Sequence, residues 1–221
     1  MAVMRRPRPR LQLLEKLLWT TGLGLLGWVG FVQAQSWWFQ RSAEDSLERS
    51  VSLAVQDDGG ARPPSPELAR HLPAGPPVPS LAAVGHGEPV GRLRIPRLAL
   101  SVMVAEGADP AVLRRGAGHL PNTALPGRGG NVGIAAHRDR HFRPLKDVTS
   151  GDEIVLETVV GTFRYQVEWT RIVPPERVDV LHPTDAPALT LVTCYPFYYV
   201  GNAPDRFVVR ARRLGWEPPR R

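Results

Sequence analysis

The stretch "LTLVTCYPFYYVGNAPDRFVVRA", residues 189–211, decides the fold and carries the candidate chemistry. Two runs rich in apolar and β-branched residues flank a segment that contains two prolines and a glycine. Such runs, separated by turn residues, predict two strands joined by a loop. Cys194, the single cysteine of the 221-residue chain, ends the first run, and Arg206 opens the second.

Three candidate strands each present a reactive residue near one end. Alternate side chains share a face of a strand, so each reactive residue has small or apolar neighbours beside it. The shared faces are Thr190, Val192 and Cys194 in "LTLVTC", Ala135 and His137 in "NVGIAAH", and Arg206 and Val208 in "RFVV". If these strands are adjacent, a thiol, an imidazole and a guanidinium converge over a shallow apolar groove.

These three groups suit acyl transfer through a thioester. A thiolate is a strong nucleophile, and a nearby imidazole favours it or protonates a leaving amine. A guanidinium keeps its charge and can donate to the oxyanion of a tetrahedral intermediate. Periodicity alone leaves alternatives open: a lone cysteine with apolar neighbours is often a small buried hydrophobe. Three other histidines compete with His137, namely His119, His141 and His182.

The rest of the C-terminal region reads as further short strands. Strand-like runs are 91–96, 100–107, 131–137, 152–158, 162–173, 188–194 and 206–213. Turn sequences such as "PGRGGN" and "TSGDE" separate them, and the helical patterns are short: 109–116, 141–148 and 175–181. Many short strands with regular turns indicate an all-β closed barrel or sandwich.

The N-terminal region predicts a membrane segment. Residues 17–40 contain no charged residue, and 24 residues suffice to span a hydrocarbon core as a helix. The basic flank at 1–16 predicts that the N-terminus stays inside and that the body is exported. A cleaved signal peptide is the alternative, because Val32-Gln33-Ala34 resembles a cleavage site. The position of Trp37 and Trp38 just beyond that site favours an uncleaved anchor.

Between this segment and the strands lies a spacer. Residues 41–56 predict a short amphipathic helix, and a proline-rich stretch up to residue 89 predicts an extended linker. The net charge of +7 is concentrated at the two ends of the chain. A nucleic-acid-binding protein carries its basic patch on the folded body, so the charge pattern argues against a nucleic-acid partner.

The motifs resemble the sortase family of transpeptidases. The resemblance rests on "TLVTC" followed by an arginine that opens the next strand, with "AAHRD" upstream. It continues through "GRLRIPRLAL", "RRGAGHLPNTALPGRGGN" and "HFRPLKDVTSGDEIVL", and covers about residues 91–213. The "TCYPF" ending and the short path to Arg206 most resemble class D sortases.

The resemblance implies a fold and a set of site residues. The fold is an eight-stranded β-barrel with a few short helices, here at 90–214, followed by a basic tail at 215–221. His137 matches the catalytic histidine, Cys194 the nucleophile and Arg206 the catalytic arginine, with Arg210 a weaker candidate for that role. The positions implied to bind substrate are Ala135, Thr190, Val192 and Thr193. Residues 171–188 match the loop that covers the groove.

The resemblance also implies an activity and partners. A sortase cleaves the C-terminal sorting signal of a secreted protein after threonine, and passes the acyl group to an amine of the cell envelope or of a pilin-like subunit. We expect no cofactor and no metal, because no acidic cluster like the calcium site of some sortases is evident. Two alternatives remain: an anchored cysteine peptidase that uses Cys194 and His137, with Asp139 as orienting acid, and a non-enzymatic module that binds envelope partners.

Overall fold

The fold was analysed in a computed structural model that describes residues 9–57, 81, 83–199 and 201–219. The chain forms two compact units, Met1–Trp38 and Phe39–Arg221. The proline-rich part of the predicted linker, up to residue 80, lies outside the described residues.

One long helix occupies the N-terminal part of the described chain. Helix α1 spans Pro9–Asp57, so the predicted membrane segment and the predicted amphipathic helix are one continuous element. Its section Glu15–Ala43 is long and apolar enough to cross a membrane. Large apolar side chains there, including Leu17, Trp19 and Trp28, are exposed. Single-pass anchoring agrees with this composition.

Eight strands close into a barrel, as the family resemblance implied. They are β1 (Pro89–Ile95), β2 (Leu100–Glu106), β3 (Ala117–His119), β4 (Asn131–Ala135), β5 (Glu153–Thr158), β6 (Gly161–Val173), β7 (Ala188–Tyr195) and β8 (Asp205–Glu217). Their order around the barrel is β1-β2-β3-β4-β7-β8-β6-β5. The β2–β3 and β4–β7 pairs are parallel and the others are antiparallel.

All seven predicted strand runs are confirmed, and β3 is the strand that they missed. It has only three residues, all of them buried, so it shows no alternation of apolar and polar side chains. Strand β8 continues past the predicted domain boundary at 214. Its last residues pair with the start of β6, with Trp216 opposite Phe163 and Glu217 opposite Thr162.

Inward-facing side chains of the strands fill the barrel. The fully buried members include Leu93, Ile134, Ile154, Leu156, Phe163, Tyr165, Leu189 and Leu191. Burial of side chains of this size contributes about 1.5–3 kcal/mol each relative to exposure. On β7 the buried Leu189 and Leu191 alternate with the residues of the Cys194 face, so the packed interior directs that face outward.

The remaining helices are short and lie between strands. Helix α2 spans Pro110–Arg115, and its first turn is capped by Asp109, which accepts hydrogen bonds from the N–H groups of Ala111 and Val112. The other two predicted helical patterns form 3-10 helices at Arg143–Asp147 and Val178–Leu181. The second of these belongs to the segment between β6 and β7.

Candidate active site

Cys194 and Arg206 are direct partners across the antiparallel β7–β8 pair. Side chains opposite one another in such a pair share a face, with their Cβ atoms about 4.5–5.5 Å apart. Both residues are partly exposed. The Arg206 Nη1 donates to the carbonyl oxygens of Asp205, at 2.9 Å, and Ala203, at 3.3 Å. These hydrogen bonds fix the guanidinium to the backbone of the loop before β8.

His137 lies just beyond the end of β4, on the other side of β7. Ala135 is in register with Val192 in the parallel β4–β7 pair, and the Ala136 N–H donates to the Val192 carbonyl at 3.3 Å. Continued by two residues, this register sets His137 level with Cys194. The backbone then turns, because the Phe142 N–H donates to the His137 carbonyl at 3.1 Å. The structure therefore brings the three predicted reactive residues to neighbouring strand ends.

Thr193 ties the ends of β4 and β7 together. Its side chain faces the barrel interior, where it is 2% exposed, and its hydroxyl donates to the Ala136 carbonyl at 2.7 Å. The resemblance had placed Thr193 among the residues that bind substrate. The alternation of side chains along β7 instead turns it away from the Cys194 face, and its hydroxyl anchors the residue that precedes His137.

The groove face beside Cys194 is formed by Ala135 and Val192, which are partly exposed neighbours on β4 and β7. Thr190 continues the same face but is completely buried. Its hydroxyl donates to Asn131 Oδ1 at 2.6 Å, and the Asn131 amide donates to the carbonyls of Val180 and His182. The accessible groove therefore ends near Val192, where the β6–β7 segment covers the sheet.

Arg210, the weaker candidate for the catalytic arginine, has a different environment. It lies opposite Thr190, four residues along β8 from Arg206. Its side chain is buried, stacks over the ring of Trp169 and donates to the Val180 carbonyl at 2.6 Å. Burial lowers the pKa of its guanidinium. Of the two arginines, Arg206 is the one opposite the thiol.

The β7–β8 loop is tied to the turn that follows His137. Arg138 donates to the carbonyls of Tyr199, at 2.8 Å, and Gly201, at 3.0 Å, and lies over the Tyr199 ring. Arg143 lies over the ring of Tyr198 in the same way. These contacts join the segments that carry the imidazole and the thiol. Arg138 is part of the "AAHRD" motif, but the sequence held no signal for its contacts with residues 61 and 63 positions away.

The other histidines have different surroundings. His119 is buried, with Nδ1 2.7 Å from Glu106 Oε2 and Nε2 3.1 Å from the Ala124 carbonyl. His141 follows the His137 turn, and burial, together with the positive charge of Arg140, lowers its pKa. His182 caps the 3-10 helix Val178–Leu181 with its backbone N–H.

The internal "LPNTA" sequence, residues 120–124, forms a loop fixed to β4. The Leu120 N–H donates to the Gly133 carbonyl at 2.8 Å and the Ala124 N–H to the Asn131 carbonyl at 2.9 Å. The Thr123 hydroxyl donates to the Leu120 carbonyl at 2.7 Å and accepts from the Gly133 N–H at 3.0 Å. Because these hydrogen bonds occupy backbone groups of the segment, it has a structural role in this conformation.

Comparisons with known proteins identify related sequences. A family model described as "Sortase domain" matches residues 93–214. Sortase D of Bacillus subtilis is 33% identical over 129 residues, which are 58% of this chain and 65% of that protein. Sortase SrtE1 of Streptomyces coelicolor is 32% identical over 200 residues, which are 80% of this chain and 50% of that protein. The chain thus spans less than two thirds of these relatives.

Solved structures resemble the fold. The SrtA sortase from Actinomyces oris matches with a TM-score of 0.58 and 31% identity, over 63% of this chain and 87% of that one. A Clostridium perfringens sortase D5 transpeptidase matches with a TM-score of 0.63 over 80% of this chain and 99% of that one. At 24% identity, that second likeness concerns the fold alone.

Proposed function

Since the chain belongs to the sortase family of cysteine transpeptidases, we propose that it cleaves a C-terminal sorting signal of the LPxTA or LPxTG type after threonine. The acyl group then passes to an amine of the cell envelope or of a pilin-like subunit. Cys194 is the nucleophile, His137 the proton-transfer group and Arg206 the oxyanion donor. The Ala-ending signal is favoured by the likeness to class D sortases.

One observation carries the proposal: Cys194 lies opposite Arg206 in the β7–β8 register, with the end of β4 and His137 on its other side. A nucleophile, a proton-transfer group and a fixed cation on adjacent strand ends form the set that acyl transfer needs. The groove of Ala135 and Val192 beside the thiol suits an extended apolar peptide.

The proposed reaction has two balanced halves. The Cys194 thiolate attacks the threonine carbonyl carbon, and the oxyanion that forms accepts hydrogen bonds from Arg206. The C–N bond breaks as His137 gives its proton to the leaving amine, which leaves a thioester. An acceptor amine then attacks the thioester carbonyl and gives a proton to His137, and breakage of the C–S bond returns the thiolate.

Whether the enzyme is a transpeptidase or a peptidase depends on the second half-reaction, in which the thioester is broken. Both share the thioester, and they differ in whether an amine or water attacks it. If the protein is a transpeptidase, added amine should increase turnover of the signal peptide and appear in the product.

The test is mass spectrometry of the full chain in detergent micelles, mixed with Leu-Pro-x-Thr-Ala or Leu-Pro-x-Thr-Gly peptides and quenched. We expect an acyl adduct on Cys194, and hydroxylamine should convert it to a hydroxamate. Cys194→Ser and His137→Ala should form no adduct, although both should fold. A folded wild-type protein that forms no adduct with any of these peptides would contradict the mechanism.

We also propose that α1 anchors the chain in the cytoplasmic membrane, with the N-terminus inside and the barrel outside. The apolar section Glu15–Ala43 and the basic residues before it support this orientation. A reporter fused after residue 60 should be active only if it functions in an exported form. Mature protein free in solution and beginning at Gln35 would show instead that the segment is a cleaved signal.

A further inference from the structure

One turn of α1, residues 39–43, packs against the barrel within the second compact unit. Ala43 is 3% exposed and clusters with Met103 of β2, which is completely buried. Phe39 packs against this pair, and the guanidinium of Arg115, at the end of α2, lies 4.7 Å from the centroid of its ring. Because residues four apart share a helix face, Phe39 and Ala43 present one face of the turn to the barrel.

The side chain of Gln40, in the same turn, makes two hydrogen bonds to the backbone of the barrel unit. Its Oε1 accepts from the Met103 N–H at 2.8 Å, and its Nε2 donates to the Arg115 carbonyl at 2.7 Å. The β2–β3 pairing begins one residue after Met103, with Val104 opposite Ala117. Carbonyls in the last turn of a helix have no partner within that helix. The Gln40 amide therefore satisfies one donor of β2 and one acceptor of α2 where these two elements meet.

Gly116, the residue that ends α2, leaves the space for this contact. A Cβ atom there would lie 2.5 Å from the Met103 carbonyl oxygen and 2.9 Å from Gln40 Nε2. Its φ of −165° is one that any residue adopts, so the close approach, and not the backbone conformation, requires glycine. The amide of Gln40 thus fits a site that a side chain at position 116 would close.

The same end of α2 also contacts the turn that follows His137. The Arg140 Nη1 donates to the Arg114 carbonyl at 3.1 Å, next in the chain to the carbonyl that Gln40 contacts. The Arg140 N–H donates to the His137 carbonyl at 3.4 Å, within the turn that the Phe142 N–H closes. Two successive carbonyls of α2 therefore accept hydrogen bonds from α1 on one side and from the His137 turn on the other.

We propose that Gln40 is a positioning residue for the catalytic imidazole. The inference rests on the proposed function, because it gives the docked turn of α1 a part in acyl transfer. Gln40 fixes the end of α2 against β2, and Arg140 in turn fixes the His137 turn beside Cys194. Gln40 itself touches neither substrate nor reacting atoms. Since it belongs to the apolar section Glu15–Ala43, the segment proposed to anchor the chain also supports the reaction.

The first test measures acylation by the full chain in detergent micelles, with a signal peptide as donor. Gln40→Met keeps the length of the side chain and removes both hydrogen bonds. Because a hydrogen bond changes an equilibrium by about fivefold, kcat for acylation should fall about fivefold with KM unchanged. Gln35→Met replaces an exposed glutamine of the same helix and should leave both constants unchanged. A wild-type kcat in Gln40→Met, or an equal loss in Gln35→Met, would overturn the inference.

The second test asks whether Gln40 acts through Arg140. Arg140→Met removes the hydrogen bond on the other side of α2 and should also lower kcat about fivefold. Substitutions on one path are not additive, so the double variant should lose about fivefold, no more than the worse single variant. Independent effects would multiply to about 25-fold, and that result would exclude the path through Arg140.

A third measurement does not depend on catalysis. In the full chain with ¹³C-labelled histidine, the ring resonance of His137 is the one absent from His137→Ala. Gln40→Met should shift this resonance and leave that of His182 in place, which also shows that the variant is folded. If no acyl adduct forms on Cys194 but the shift occurs, the proposed function fails and the link from Gln40 to His137 is upheld. If adducts form and the His137 resonance does not move, the positioning inference alone fails.

Discussion

Thr193→Val tests whether the hydroxyl of Thr193 positions the catalytic groups. The substitution nearly preserves shape but removes the hydrogen bond of 2.7 Å to the Ala136 carbonyl, at a site that is 2% exposed. Leaving the Ala136 carbonyl without this donor should lower the free energy of unfolding by about 1–3 kcal/mol. For a body of this size, each kcal/mol lowers the melting temperature by about 2–4 °C.

The expected effect on activity is larger than the effect on stability would suggest. Ala136 immediately precedes His137, so loss of this tie releases the imidazole relative to Cys194. A displacement of about 1 Å at reacting groups can cost about 10²-fold in rate. We therefore expect acyl-adduct formation on Cys194 to slow by about tenfold or more, through kcat rather than KM, as measured by quench and mass spectrometry.

Thr158→Val is the matched control. Thr158 is 3% exposed and its hydroxyl donates to the Gly161 carbonyl at 2.9 Å, on β5 and away from the candidate site. Its replacement should lower the melting temperature by a similar amount and leave acylation unchanged. If Thr193→Val and Thr158→Val lost similar stability and Thr193→Val kept full activity, the positioning role of Thr193 would be refuted.

Arg206→Ala should slow acylation by about 10²-fold or more, because an oxyanion donor is lost. Arg206→Lys should restore little of the rate, because the point charge of an ammonium replaces the planar guanidinium. Quenched-flow mass spectrometry measures both rates. His141→Ala should keep most of the activity in the same assay, because its buried Nε2 has no hydrogen-bond partner among the described residues. Arg97→Ala should destabilise the fold at neutral pH, because the Arg97 guanidinium holds the pKa of Asp152 below its usual value. Ionised Asp152 stabilises the fold above its unfolded-state pKa near 4, and this contribution disappears as the pH falls through the lower folded-state pKa. Urea titrations should therefore show the free energies of unfolding of variant and wild type converging below about pH 4.

Local periodicity predicted most of the elements of this protein. Alternation along 188–194 and 206–213 is a property of neighbouring residues, so strands β7 and β8 were evident before any pairing was known. The candidate membrane segment was recognisable for the same reason, because absence of charge over 24 residues is a local feature. The short, fully buried β3 lacked such a pattern and was missed.

The three reactive residues were also predicted from the sequence, but their proximity depends on pairing between distant segments. Cys194 and Arg206 lie opposite each other because one register of β7 against β8 buries Leu189 and Leu191 together with Val209. His137 joins them only because β4 pairs with β7, more than fifty residues later in the chain. No local pattern specifies which strands become neighbours, since barrel closure depends on the packing of the whole interior.

The orientation of a side chain on its strand and the contacts that it makes were likewise determined at different levels. Residue type and alternation along the chain determined that Thr193 and Cys194 face opposite sides of β7. Only the tertiary structure decided that the Thr193 hydroxyl meets the Ala136 carbonyl, or that Arg171 and Arg210 share the Trp169 ring. These contacts join residues far apart in sequence, and their geometry follows from strand register and side-chain packing, which no short stretch of sequence contains.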